Sequence, residues 1–326
     1  MAKILIVGGT GFIGAQIARQ LLNLNHQVIC YDNFLHFGNP LENRYEFYLR
    51  HRMEQIKDQV VIERGDTRNR EAIRGCMERH KPEYIIHLAA IADATVALRY
   101  PQDTNDINVV GTLNLLGLLK EFPVKRFLFT SSSFVYGNFQ YLPADENHPL
   151  SPFGIYGGTK LTGEVLTKSF CKEYGLEYVI IRPSAVYGFG DSHNRVTKTF
   201  MENAIFNRPL KLVNGGEYVV DFSYVTDVAD GFVRALFAEK AKNEIFNISR
   251  GEGRSIAELA EIVKSHFPHV PMIEESEKPD MKRPLRGALG IEKARTLLGY
   301  NPTVSLEDGI KIYAAPMKNC QPLLQF

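Results

Sequence analysis

The glycines near the N-terminus constrain the fold of this chain more than any other feature. Gly8, Gly11 and Gly14 follow a short apolar run at residues 4–7 and open a segment at residues 12–23 in which apolar side chains recur at helical spacing. Glycine permits a tight strand-to-helix turn and lets backbone N–H groups approach a phosphate. The N-terminus of the helix adds unpaired N–H donors and a positive dipole end. We therefore predict a dinucleotide-binding turn, with an ordinary glycine-rich turn that binds no ligand as the alternative.

Short apolar runs alternate with helix-length segments through the first half of the chain. The runs lie at residues 4–7, 27–31, 60–62, 84–88, 126–130 and 177–181, and the helical segments at 12–23, 70–78, 108–121 and 156–174. Several runs are continuously apolar, which is typical of strands buried on both faces. This alternation predicts an α/β fold, a Rossmann-type doubly wound parallel sheet.

After Arg182-Pro183 the pattern becomes irregular, with glycines, prolines and shorter elements mixed together. Segments 226–238 and 244–248 again look like a helix and a strand that return to the main sheet. We predict a dinucleotide-binding domain at residues 1–182 plus about 221–248. A smaller, discontinuous substrate lobe is predicted at about 183–220 plus 249–326.

The composition excludes several classes of partner. With 38 Lys+Arg against 37 Asp+Glu among 326 residues, the net charge of +1 gives no reason to expect binding to nucleic acid or to an anionic membrane. No apolar stretch approaches the roughly 18 residues that span a bilayer. The four cysteines are far apart and show no metal-ligand spacing: Cys30, Cys76, Cys171 and Cys320. We expect free thiols, no metal and a cytoplasmic location.

Two aspartates at predicted strand ends indicate which dinucleotide is bound. Asp32 follows the second strand, about 20 residues after the glycines, where a carboxylate accepts hydrogen bonds from the adenosine ribose. Its charge would repel a 2′-phosphate, and no arginine immediately follows it, so the sequence favours NAD over NADP. Asp66 ends the next strand and is placed to meet the adenine. Alternatively, or in addition, Asp66 caps the helix at 70–78.

A tyrosine and a lysine one helical turn apart provide the candidate catalytic pair. Tyr156 and Lys160 are spaced i, i+4 and so project from one face of a helix. An adjacent ammonium stabilises a phenolate, which makes base chemistry at a hydroxyl feasible. The serine run 131–133 closes a strand between the glycines and this pair, and one of its hydroxyls could bond the same substrate oxygen. A surface helix pair and ordinary turn serines are the alternatives.

Taken together, these motifs resemble one known family. The chain is similar to the extended short-chain dehydrogenase/reductases of the nucleotide-sugar epimerase/dehydratase family, which includes UDP-glucose 4-epimerase. The resemblance rests on the glycine motif, Asp32-Asn33, Gly65-Asp66, His87-Leu88-Ala89-Ala90, residues 108–112, 132–137, 156–160, Arg182-Pro183, 221–229 and 297–300.

The resemblance implies roles that the spacing alone does not. It implies a Rossmann domain that holds NAD and a lobe that grips a nucleotide-diphosphate sugar. Counting four residues back from Tyr136 places the catalytic hydroxyl on Ser132, and the helices near 108–121 and 156–174 would pair in a homodimer as a four-helix bundle. Further cofactor contacts are implied for Phe12, Ile13, Asn33, Leu88, Ala89, Ala90 and Asn108, and substrate contacts for Ser133, Arg195 and Arg283.

The chain departs from the family pattern beside the catalytic serine. The 4,6-dehydratases that it resembles have Asp-Glu after the hydroxyl residue, and the decarboxylases have a glutamate at the second position, whereas this chain has Ser133 and Phe134. It also has Val220 in place of a usual arginine, and Arg283 to Arg286 in place of an Arg-x-Gly-Asp motif. We therefore expect an NAD-dependent epimerase that acts through a 4-keto sugar. A nucleotide-sugar dehydrogenase or dehydratase, or a non-catalytic NAD-binding regulator or scaffold, are the alternatives.

Overall fold

In the computed structural model, which describes residues 1–37, 44–276 and 284–320, the core is a seven-stranded parallel sheet. Its strands occur in the order β3-β2-β1-β4-β5-β6-β11. The strands are β1 (Lys3–Val7), β2 (Gln27–Asp32), β3 (Val61–Arg64), β4 (Tyr84–His87), β5 (Arg126–Thr130), β6 (Glu177–Pro183), β7 (Val186–Tyr187), β8 (Leu210–Val213), β9 (Val219–Asp221), β10 (Ser223–Tyr224), β11 (Glu244–Ile248), β12 (Gly253–Ser255) and β13 (Met272–Glu275).

Helices cover both faces of the sheet, as a doubly wound fold requires. They are α1 (Phe12–Asn23), α2 (Tyr45–Glu54), α3 (Arg70–His80), α4 (Ala94–Arg99), α5 (Pro101–Asn105), a π-helical turn (Asp106–Val110), α6 (Gly111–Leu118), α7 (Gly154–Tyr174), α8 (Val196–Ile205), α9 (Val225–Phe237), α10 (Ile256–His266), α11 (Glu292–Leu298) and α12 (Leu306–Cys320).

The predicted Rossmann-type fold is confirmed, including the return of β11 to the main sheet beside β6. The continuous apolar runs are central strands: every residue of β5 is buried. At the sheet edge, β3 leaves Val61 and Ile62 largely exposed. Helix α2 was not predicted from the sequence, and the irregular stretch after Pro183 contains helix α8. The division of the chain into two lobes stays a prediction.

The order of the strands in the sheet predicts where a ligand binds. The chain winds outward from β1 to β3, then crosses back to β4 and winds the other way, so the two halves separate at the carboxyl ends of β1 and β4. Ligands of open α/β sheets bind in the crevice outside such a switch point. The backbone is closely packed there, since a Cβ added to Gly8 would lie 2.7 Å from the Ala89 nitrogen.

Three two-stranded sheets extend the fold beyond this crevice. They pair β7 with β10, β9 with β12 and β8 with β13. Residues of this region face the carboxyl ends of the main strands across the crevice, among them Tyr218 and Phe222. Within the described residues, no helix has the length and apolar character needed to cross a membrane.

Candidate active site

A cavity of about 810 Å³ occupies the crevice at the carboxyl ends of the strands. It brings together fifteen of the residues that the sequence predicted for cofactor, catalysis or substrate. They are Gly8, Gly11, Phe12, Ile13, Gly14, Asp32, Asn33, Leu88, Ala89, Ala90, Ser132, Ser133, Tyr156, Lys160 and Arg195.

The glycine turn has the form of a phosphate cradle. Helix α1 begins at Phe12 with Gly11 as its N-cap, and no side chain caps it, so the N–H groups of the first turn are left for another acceptor. The helix can approach the strand this closely because Gly14 lacks a side chain: an added Cβ would overlap the carbonyl oxygen of Gly8. The free N–H donors of the first turn, and the close approach of the helix to the strand, suit the binding of a dinucleotide's pyrophosphate.

Asp32 is fixed at the end of β2 beside this cradle. Its carboxylate accepts hydrogen bonds from the backbone N–H of Thr10, at 3.0 Å, and of Phe34, at 2.9 Å. These bonds hold a negative charge at the cavity wall next to Leu35, which is half-exposed. The arrangement fits a ribose with free hydroxyl groups better than one with a 2′-phosphate.

Removing that charge is expected to shift the cofactor preference. In Asp32→Asn combined with Leu35→Arg, the amide oxygen still accepts from Thr10 while a guanidinium replaces the carboxylate charge at the adenosine end. Affinity for NADP relative to NAD should rise by about 10-fold or more, as gaining one charged hydrogen bond gives. Fluorescence titration with both dinucleotides measures the ratio. Asp32→Asn alone is the control, and a wild-type protein that binds NADP more tightly than NAD would contradict the role of Asp32.

Asp66 lies behind the cavity wall and does not cap a helix. Its carboxylate accepts hydrogen bonds from the backbone and side chain of Arg68 and from Asn33, and the Arg68 side chain above all lowers its pKa to about 2. The residue that caps α3 is Asn69, whose side chain accepts from the Ala72 N–H at 3.1 Å. The predicted cap was wrong because Asp66 forms a local turn with Arg68 and the helix begins four residues later.

Tyr156, Ser132 and Lys160 meet at the other end of the cavity, where β5 and α7 converge. The Ser132 side chain faces the Tyr156 hydroxyl closely enough for hydrogen bonding to it to lower the pKa of the tyrosine. The ammonium of Lys160 lies 6.0 Å from the centre of the Tyr156 ring and donates to the Thr130 carbonyl at 2.8 Å. All three side chains are buried, with at most 7% exposed, so water has little access to them.

In the protein without a cofactor, burial has the largest effect on the pKa values of Tyr156 and Lys160. Burial raises the pKa of Tyr156, while the hydrogen bond to Ser132 and the charge of Arg195 lower it without cancelling that effect. Burial also lowers the pKa of Lys160 to about 7. The sequence predicted a phenolate stabilised by the lysine; in the protein without cofactor, burial acts against both the phenolate and the charge of the lysine.

A buried network below the catalytic residues was missed by the sequence analysis. Glu164 accepts a 2.6 Å hydrogen bond from Ser131 and a bidentate pair from Arg182, at 2.8 and 2.7 Å. The network ties α7 to β5 and β6 directly under Ser132. A signal was present in the sequence, because Glu164 continues the i, i+4 spacing of Tyr156 and Lys160.

The remaining predicted residues occupy different places. Asn108 lies behind the wall, where its side chain accepts from the Ile91 N–H and donates to Thr159, so it joins a cavity loop to α7. Arg195 lines the cavity and donates to the Val186 carbonyl at 2.9 Å. Arg283 falls outside the described residues.

One group of possible metal ligands is found in the described part of the chain, and none of its members lines the cavity. Ligand atoms of Glu63, Cys76 and His80 lie within 4.8 Å of one another at the β3 edge of the sheet. Glu63 is already held by Arg79 at 2.7 Å, and burial raises the pKa of the Cys76 thiol to about 12. The cluster is therefore an ion pair beside a protonated thiol.

The fold and the cavity define a Rossmann-type protein built to hold a dinucleotide against a buried tyrosine and lysine. The chain belongs to the NAD dependent epimerase/dehydratase family, whose model matches residues 4–249. NAD is thus its cofactor.

Relatives match along nearly the whole chain. A putative UDP-glucose 4-epimerase of Methanocaldococcus jannaschii is 34% identical over 97% of this chain and 98% of its own. The solved UDP-glucose 4-epimerase of Thermotoga maritima with UDP-glucose has a TM-score of 0.87 at 29% identity, covering 98% and 99%. The solved UDP-glucuronic acid 4-epimerase of Bacillus cereus, with UDP-glucuronic acid and NAD, has a TM-score of 0.88 at 27% identity, covering 97% and 99%.

Proposed function

We propose that this protein is an NAD-dependent 4-epimerase of a nucleotide-diphosphate sugar. The observation that carries the proposal is the buried group of Tyr156, Ser132 and Lys160, which lines the cavity with the ammonium 6.0 Å from the centre of the tyrosine ring. Relatives that the chain matches over nearly its full length are named as 4-epimerases of UDP-glucose and UDP-glucuronate. The cavity is also large enough for a nucleotide sugar beside the cofactor.

The chain's own residues would hold the cofactor and move one proton. The first turn of α1 and the glycines bind the pyrophosphate, and Asp32 binds the adenosine ribose. When bound, NAD supplies a hydride acceptor for the sugar carbon and, once reduced, a donor to the opposite face. As a phenolate, which the positive charges of Lys160 and of a bound oxidised nicotinamide would favour, Tyr156 takes the proton from the C4 hydroxyl at its phenolic oxygen and later returns it. Ser132 bonds the same sugar oxygen, and Lys160 holds positive charge under the ring.

Phe134 favours epimerisation over water loss. Its ring packs edge-on against Tyr156, with ring centres 5.5 Å apart, at the position where related dehydratases and decarboxylases have a glutamate. A phenyl ring transfers no proton, and its buried neighbour Ser133 carries no carboxylate. An aromatic wall also leaves a keto sugar room to turn, which epimerisation requires.

An isotope experiment tests this reaction type. With UDP-glucose or UDP-glucuronate as substrate, the product should be an isomer of unchanged mass. In deuterated water the inverted carbon should stay unlabelled, because its hydrogen returns through the cofactor. Mass spectrometry and proton NMR measure both. A product lighter by one water would indicate a dehydratase, and one equivalent of free NADH per turnover would indicate a dehydrogenase.

The substrate lobe and the assembly belong to the same proposal. Arg195 and Arg283 would pair with the diphosphate of the substrate. A homodimer would form through α6 and α7, supported by the exposed apolar side chains of Leu113 and Val165 on these contacting helices. A cytoplasmic location is supported by the four cysteines, all of them free thiols.

A further inference from the structure

An arginine lines the cavity close to its catalytic end. The guanidinium carbon of Arg286 lies 4.9 Å above the ring centre of Phe134. Phe134 in turn packs against Tyr156, and all three residues line the same cavity. Arg286 is therefore one aromatic ring away from the group that acts on the sugar.

The charges around Tyr156 make this end of the cavity attractive to an anion. Arg195 is close enough to lower the pKa of Tyr156, and its own acidic partner, Asp191, is 3.7 Å away. Asp93 acts on Tyr156 in the opposite direction, but its carboxylate already accepts from the Thr95 and Val96 N–H groups at 2.8 and 2.9 Å as the cap of α4. Arg286 adds a guanidinium to this region.

A nucleotide sugar carries a diphosphate and can carry a carboxylate, and the positions of these groups on the ring indicate which of them Arg286 would contact. In a pyranose the diphosphate is attached at C1, across the ring from C4. The C4 hydroxyl that Tyr156 would deprotonate lies between the substituents of C3 and C5, and of these two only the C5 substituent is a carboxylate in some sugars. A guanidinium stacked on the aromatic neighbour of Tyr156 is thus placed for the C5 substituent. That substituent is a carboxylate in a hexuronic acid and a hydroxymethyl group in a neutral hexose.

We propose that the substrate is a nucleoside-diphosphate hexuronic acid and that Arg286 binds its carboxylate. This inference rests on the proposed 4-epimerase function and narrows its substrate. Arginine suits the role because its planar fork bonds both carboxylate oxygens while its face stacks on an aromatic ring. Arg286 is partly buried at the cavity wall, and a bound sugar would shield the charge pair further from water, so removing the guanidinium should weaken binding strongly.

The test compares two substrates that differ in this one group. Wild-type enzyme loaded with NAD is assayed with UDP-glucuronate and UDP-glucose, beside Arg286→Gln and a control, Arg208→Gln. Arg208 also stacks on a phenylalanine, 5.1 Å above the Phe206 ring, but is exposed and not among the residues that line the cavity. The expected result is a fall in kcat/KM for UDP-glucuronate of about 30-fold or more in Arg286→Gln. The value for UDP-glucose should change by less than about 3-fold, and Arg208→Gln should leave both unchanged.

Binding measurements separate failure of this inference from failure of the epimerase proposal. Calorimetric titration of the NAD-loaded proteins with UDP, UDP-glucose and UDP-glucuronate should show that Arg286→Gln weakens binding of UDP-glucuronate alone. An equal loss for all three ligands would place Arg286 at the diphosphate and overturn the inference, as would a wild-type preference for UDP-glucose. If neither sugar is isomerised, the epimerase proposal fails, while the binding comparison still decides the role of Arg286.

Discussion

Replacing Tyr156 with phenylalanine is expected to lower turnover of the nucleotide sugar by about 10²-fold or more. The change removes one oxygen, the atom that accepts the proton from the sugar and faces the Ser132 side chain. The ring keeps its edge-on contact with Phe134, so the fold and the binding of NAD should persist. Initial rates with the isomerised substrate, together with an NAD titration and the melting temperature of the variant, measure the three effects separately. Near-normal turnover would remove Tyr156 from the mechanism.

The neighbouring serines provide a matched control for this prediction. Ser132→Ala and Ser133→Ala delete the same atom from adjacent buried residues, but only Ser132 is assigned to the catalytic hydrogen bond. Ser132→Ala should therefore lose more turnover than Ser133→Ala. The reverse order would show that the hydroxyl facing the substrate belongs to Ser133.

The parts of the fold that the sequence predicted well are those encoded over a short stretch of chain. Helix α1 and strand β5 were predicted with their observed bounds, since glycines or polar residues bracket each apolar pattern. The glycine turn and Asp32 were predicted to share a site because a carboxylate about 20 residues after such glycines, at the end of the second strand, meets the adenosine ribose. The structure brings both to the same cavity.

The parts that the sequence left out depend on contacts between distant segments. Arg286 lies 152 positions after Phe134 in the numbering, and only the folded chain shows that the two stack. Arg182 belongs to one of the motifs that the chain shares with the family. Its bidentate pair with Glu164 could not be predicted from that motif, because it forms only where α7 packs against β6 in the folded chain. The sequence also did not show that burial raises the pKa of Tyr156, because burial depends on the whole surrounding fold.

Replacing Glu164 with leucine is expected to destabilise the protein by about 3–5 kcal/mol. Glu164 and Arg182 are almost completely buried, with 0% and 1% of their side chains exposed, so the change leaves a guanidinium with no counter-charge at its Nε and Nη2 groups. Burial by itself lowers the pKa of Arg182, but the pairing with Glu164 more than offsets this effect and the pKa is raised. Urea unfolding with and without NAD measures the loss.

Two further variants show whether the buried charge causes this loss. Glu292→Leu breaks an ion pair with the same shortest separation, 2.7 Å to Arg295, but this pair is largely exposed and should cost less than about 1 kcal/mol. Combining Glu164→Leu with Arg182→Met removes both charges and should recover much of the stability, because two apolar side chains can pack where an ion pair was buried. Equal losses for Glu164→Leu and Glu292→Leu would contradict the role of the network. Since Glu164 also fixes Ser131 beside Ser132, the double variant should stay folded yet turn over substrate more slowly.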